Sequence, residues 1–368
     1  MTVVTEQHEA HGATFEERDG RRLVRDYGRP ARTHGAVRKG AGVIEMGYGV
    51  VVVEGDDRLD FVDDTVSNRV PQEDGAGVYA LLLDPQGRIE TDMYVYNAGE
   101  RLLCFTPPTR AGPLADDWSE KIFIQDVTIR EASTDFAIFG VHGPKSTEKV
   151  ASVLTGAAAP EPPLSFVRGS MGDQGVTVIA ADGPTGEEGY EVVCAADAAE
   201  RVFETLLTRG MNAVPFGYQT WEALTTEAGT PLFDTELAEQ IPNVLGLANA
   251  VDFEKGCFVG QEVVSKVENR GRPSSRLVGL ELDGDALPAN GADVERDGDI
   301  VGQVTRAIES PSLDRPIALA LVDFNTDLEG GASLSVATAA GRSAATHTPL
   351  PFVEGTARSA RLPTYSDL

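Results

Sequence analysis

Lys255-Gly256-Cys257-Phe258-Val259-Gly260-Gln261-Glu262, running on through Ser265 and Lys266 to Arg270-Gly271, is the stretch from which the fold of this 368-residue chain can be read. It holds one of only three cysteines. Residues 261–269 read as a helix that begins four positions after the thiol. A thiol placed before a helix N-terminus feels the positive end of the helix dipole. The nearby cations Lys255, Lys266 and Arg270 act in the same direction and favour thiolate over thiol. For a cysteine taken on its own, the plainer reading is a small residue filling a tight turn, because free cysteines are mostly buried and inert.

Composition bounds the rest. The length suggests two or three domains with real cores. The apolar fraction of 41% is ordinary, but the formal charge of −27 is not. Acidic residues are spread along the chain, and the basic ones are mostly arginine. That pattern resembles proteins of salt-adapted organisms, which stay soluble through a hydrated acidic surface. Nucleic acid is not an expected partner, since phosphate tracking needs clustered Lys and Arg. No cysteine pair has C-x-x-C spacing, so neither a disulfide framework nor a cysteine-based zinc site is expected. Cys104 and Cys194 sit in strand-like runs and read as core. No apolar run is long enough to span a bilayer, and residues 1–17 lack a signal-peptide core, so a cytoplasmic protein is expected.

Residues 1–33 read as a polar leader with a short helix at most. Residues 50–54 form a β-branched strand, and 56–68 a helix with Leu59, Phe61, Val62 and Val66 on one face. Residues 79–83 and 88–96 form a hairpin about Asp84-Pro85-Gln86-Gly87, with 101–106 beside it. Residues 122–127 read as extended. Strands are expected at 136–141, 175–180 and 189–195, and helices at 145–154, 197–210 and 218–227. After Pro273 short strands recur between Gly, Asp and Pro, as in a small β-barrel.

The run K-G-C-F-x-G-Q-E, then S-K, then R-G, resembles the signature of the YgfZ family. These are folate-binding relatives of the glycine-cleavage T-protein, implicated in iron–sulfur protein maintenance. The T-protein has a related F-x-G-x-E segment without the cysteine. The resemblance extends from about His34 to Val353. His34–Arg38 resembles E-H-x-A-V-R, Gly143-Pro144-Lys145 resembles Q-G-P-x, and Pro351-Phe352-Val353 resembles the closing L-P-F. It implies an α+β fold of three domains in a ring around a central folate site, with a C-terminal small β-barrel. The corresponding boundaries are 34–130, 131–272 and 273–368, with the first two open to interleaving.

The resemblance also carries site residues. Asp92, in Gly87-Arg88-Ile89-Glu90-Thr91-Asp92, stands where the T-protein has G-G-I-x-D-D, whose last aspartate lies beside the folate. A buried acid there could orient the reacting group or exchange a proton. On pattern alone Asp92 is a solvent-facing strand residue. Glu191 follows Glu187-Glu188-Gly189-Tyr190 and resembles the glutamate that pairs with the pterin edge, a task suited to two carboxylate oxygens. On pattern alone Glu191 is a surface residue, with Tyr190 and Val192 pointing inward. The T-protein pattern G-A-R-D-x-L-R-L-E-A-G has two arginines, replaced here by Trp221 and Thr225. Trp221 either stacks on the pterin or fills the core.

The leading expectation is therefore a tetrahydrofolate-binding YgfZ-like protein that supports iron–sulfur enzymes or their assembly proteins. Cys257 and Asp92 would carry the chemistry, and Glu191, Asp92 and Trp221 would bind folate. Lys255, Gly256, Gly260, Gln261, Glu262, Lys266 and Arg270 would support the thiol. Two rivals stand beside it: a folate-dependent aminomethyltransferase or demethylase, favoured by Asp92, and a non-catalytic scaffold with a vestigial pocket.

Overall fold

The computed structural model describes residues 2–18, 20–328 and 334–365, and every side chain among them except that of Arg270. Three β-units organise it. The first is an antiparallel five-stranded sheet in the order Ala76–Leu83, Ile89–Asn97, Arg101–Thr106, Gly49–Glu54, Thr128–Glu131. The second has seven strands, with Gln174–Ala180, Gly189–Ala195, Phe136–His142 and Gly42–Glu45 adjacent at its centre. The third is a closed six-stranded barrel built between Ser275 and Thr348.

Both sheets are covered on two faces, and this explains their apolar runs. Val50 and Val52 enter a core shared by all three units, while Val51 and Val53 pack with Phe61, Val62 and Trp118 of the flanking helices. In the second sheet Phe139 and Val141 pack on Val202, Phe203 and Leu206 of helix Ala199–Thr208. A strand buried on one face would alternate apolar and polar residues; these do not. Strand Gly42–Glu45 belongs to the second sheet and Gly49–Glu54 to the first. The link Met46-Gly47-Tyr48 therefore crosses between sheets at the centre of the molecule.

Two local expectations are corrected. The first 33 residues are not a frayed leader. They form helix Thr5–Ala10, the hairpin of Thr14–Arg18 with Arg21–Asp26, and the start of helix Pro30–Lys39. Long-range anchors outweigh the polar composition: His8 is fully buried with Nε2 2.6 Å from Glu45 Oε2, and Leu23 and Val24 are core. Residues 122–127 are a loop, with Phe123 and Ile124 exposed and both amides donated to Gln125 Oε1. The barrel, the 79–96 hairpin and helix Tyr218–Glu227 form as the sequence suggests.

Several motif residues turn out to be joints between units. Glu227 is wholly buried and is met by His34 Nε2 at 2.8 Å, Arg38 Nη2 at 2.9 Å and the Ser310 hydroxyl at 2.6 Å. Burial alone would raise its pKa, but these partners overcome burial and bring it to about 2. Helix Pro30–Lys39, helix Tyr218–Glu227 and the barrel are joined at this one carboxylate.

Candidate active site

The central cavity, of about 130 Å³, opens between the first sheet, the N-terminal hairpin and helix Tyr218–Glu227. Asp92 and Tyr94 reach it because alternate residues of strand Ile89–Asn97 share a face. Tyr94 and Tyr96 belong to the central core, whereas Met93 and Val95 turn to the helices behind. Tyr48, Tyr94 and Phe105 line both this cavity and a recess of about 10 Å³ that ends on Asp182 and Glu191. Tyr48 stacks on Phe105 with centroids 5.7 Å apart, so the passage between the two is aromatic.

Three buried carboxyls and one buried guanidinium set the electrostatics, with Arg18 and Asp234 more exposed on the lining. Tyr79 donates its hydroxyl to Asp92 Oδ2 at 2.8 Å, and Tyr94 donates to Asp182 Oδ1 at 2.9 Å. Arg361 stands between them, 3.3 Å from Asp182 Oδ2 and 4.0 Å from Asp92 Oδ2, with its guanidinium over the Tyr79 ring. Burial raises the Asp92 pKa, and Arg361 and Tyr79 pull against it. Glu191 is raised from 4.5 to about 8, by burial first and Asp182 second, with only the Tyr48 phenol opposing. Asp92 Oδ1 and Glu191 Oε2 are buried without a hydrogen-bond partner among the described residues. Such orphaned acceptors cost about 1–3 kcal/mol each, which a ligand bearing N–H groups would return.

Asp92 and Glu191 are thus both buried, at 7% and 4% exposure, where pattern alone put them on the surface. The face of strand Gly189–Ala195 opposite Tyr190 and Val192 is not solvent; Val193 on it belongs to the central core. Trp221 lines the cavity and sets its edge on His142 at 5.1 Å. Thr225 accepts a hydrogen bond from Arg306 of the barrel at 3.1 Å.

The Cys257 segment is built differently from expectation. Cys257 is exposed and lines neither the central cavity nor its recess. Lys255 does not attend the thiol. Its ammonium is buried and bonds the carbonyls of Asp63, Val66 and Asn68, capping the end of helix Arg58–Thr65. Gly260 has φ +81, and a Cβ there would lie 2.6 Å from Asp84 O and 3.0 Å from Gly87 Cα. It is a glycine because helix Gln261–Arg270 seats on the 84–87 turn. Gly256, Glu262 and Lys266 are exposed and Gln261 is half-buried; the Arg270 side chain lies outside the described residues. The segment docks one unit on another, and that accounts for Lys255, Phe258 and Gly260 without thiol chemistry.

Sequence reasoning missed Arg361, Tyr48, Tyr94, Asp182 and His142. Tyr94 was within reach, two positions after Asp92 on a strand. Arg361 was not, because it arrives on an irregular tail, Arg358 N bonding Gly186 O and Ala360 N bonding Asp182 O.

Comparison with known proteins follows the same lines. Residues 4–255 match the GCVT N-terminal domain family, and 275–354 match the glycine cleavage T-protein C-terminal barrel domain. An aminomethyltransferase of Streptomyces coelicolor is 31% identical over 88% of this chain and 89% of its own length. One from Geobacillus kaustophilus is 32% identical over 82% of this chain and 84% of its own. In fold, the glycine cleavage system aminomethyltransferase T from Bartonella henselae superposes with a TM-score of 0.85 at 22% identity, over 96% of this chain and 98% of that one.

Proposed function

The chain belongs to the glycine cleavage T-protein family, and from that premise we propose that it is a folate-dependent aminomethyltransferase. The observation that carries this is the pair of buried carboxyls, Asp92 and Glu191, each with an oxygen unpartnered among the described residues, beside an aromatic cavity. A reduced pterin suits that set. Two parallel N–H groups would answer Glu191, the rings of Tyr48 and Trp221 offer faces or edges to a flat heterocycle, and Asp92 is left for the reacting nitrogen. When bound, tetrahydrofolate would supply the nitrogen nucleophile that accepts the one-carbon group of an aminomethylated carrier thiol, with the free thiol and ammonia as the other products.

The protein's part is positioning and proton transfer. Glu191 orients the ring edge. Asp92, with Oδ2 fixed by Tyr79, keeps Oδ1 free to give or take a proton. Arg361 offsets Asp92 and Asp182, so neither acid is left uncompensated in a low-dielectric site. The two missing family arginines limit the reading less than sequence alone suggests, because Arg361 brings a guanidinium to the cavity from the other end of the chain.

The iron–sulfur role that Cys257 suggested becomes the lesser reading, since the thiol is exposed and apart from the cavity. Calorimetric titration with tetrahydrofolate tests the proposal. Saturable binding that Glu191→Gln weakens about ten- to a hundredfold is expected. No binding by the wild type would overturn it.

A further inference from the structure

His142 closes strand Phe136–His142 and is fully buried, yet neither ring nitrogen has a hydrogen-bond partner among the described residues. Its Nε2 lies 3.9 Å from Glu191 Oε1. The ring occupies a slot left by two glycines. A Cβ on Gly140 would stand 2.5 Å from Nε2, and one on Gly189 2.5 Å from Nδ1. Gly140 is the cross-strand partner of Glu191, and Gly189 that of His142. The imidazole thus lies along the sheet toward the carboxyl, under the edge of Trp221. A fully buried ring with both nitrogens idle is costly, and apolar residues fill sheet positions more cheaply.

We propose that His142 is a positioning residue for Glu191, whose Nε2–H donates to Oε1 when the carboxyl ionises and holds it facing the ligand. The inference rests on the reading of Glu191 as the ligand-facing carboxylate. Burial drives the His142 pKa down to about 3, so the ring is a neutral donor rather than a cation. Closing the gap needs a shift of about 1 Å to reach hydrogen-bond distance. The other groups that face Glu191 are phenols, one acid and one guanidinium. The Tyr48 phenol, kept protonated by burial, also favours the ionised carboxyl, so His142 adds a second donor beside it; Tyr96 and Tyr218 are neutral phenols, Asp182 repels the carboxylate, and Arg361 is engaged with Asp182 and Asp92.

Met and Gln are close in shape, but only Gln donates, so His142→Met and His142→Gln separate packing from hydrogen bonding. Two readouts are taken on the full chain: the pH at which the Glu191 carboxyl titrates in the ligand-free protein, by infrared difference against Glu191→Gln, and the dissociation constant for tetrahydrofolate. His142→Met should raise the titration pH and weaken binding about tenfold or more, and His142→Gln should restore both toward wild type. An unchanged titration in His142→Met, or equal losses in the two variants, overturns the proposal. If the wild type binds no folate, the functional reading fails while the titration still decides the pairing.

Discussion

At neutral pH the ligand-free protein holds Glu191 mostly as the neutral acid, yet pairing with two N–H groups requires the carboxylate. Folate binding should therefore expel a proton. With the pKa at about 8, roughly nine in ten molecules are protonated at pH 7, and ionising them costs about 1.4 kcal/mol. At pH 6 the cost is about 2.8 kcal/mol. The dissociation constant should tighten about tenfold per pH unit from 6 to 8 and then level off. Calorimetry at pH 7 in buffers of differing ionisation enthalpy should show release of about 0.9 proton per folate, and none in Glu191→Gln. A dissociation constant flat between pH 6 and 8, with heats independent of buffer, would mean that Glu191 does not ionise when folate binds.

The same shift acts on stability with the opposite consequence. Because the folded pKa lies above 4.5, the Glu191 term is fully present below pH 4.5 and is lost as pH rises through about 8. Glu191→Gln should melt higher than wild type at pH 9, by on the order of 3 kcal/mol, while binding folate less well. Glu227 behaves inversely: its contribution holds above pH 4.5 and is lost as pH falls through about 2. Glu227→Gln, which takes the carboxylate from buried His34 and half-buried Arg38, should cost about 3 kcal/mol in urea unfolding at pH 7. Gly260→Ala should cost about 2 kcal/mol, from positive φ and the clash with Asp84 O, and leave folate affinity near wild type, since the residue touches neither cavity nor recess.

Local patterning revealed most of the elements. The Asp84-Pro85-Gln86-Gly87 turn before strand Ile89–Asn97 and the helix read over 197–210, found as Ala199–Thr208, are short-range signals, and each is realised. What escaped the sequence was decided at long range. Asp92 and Glu191 look like surface acids to any rule that gives a strand one wet face, and both sheets here have none. The N-terminal segment looks polar, but its order comes from His8 on Glu45 and from Leu23 and Val24 in the core. Cys257 misled for a related reason. Its cationic neighbour Lys255 suggested an activated thiol, whereas the ammonium is spent on three backbone carbonyls of the first unit.

Which group does the chemistry is decided by ammonia release from an aminomethylated lipoyl carrier protein, with and without tetrahydrofolate, for wild type, Asp92→Asn and Cys257→Ser. Folate-dependent release by the wild type is expected, with a loss of about 100-fold or more in Asp92→Asn and a normal rate in Cys257→Ser. Release that ignores folate, or that survives Asp92→Asn but fails in Cys257→Ser, would contradict that expectation.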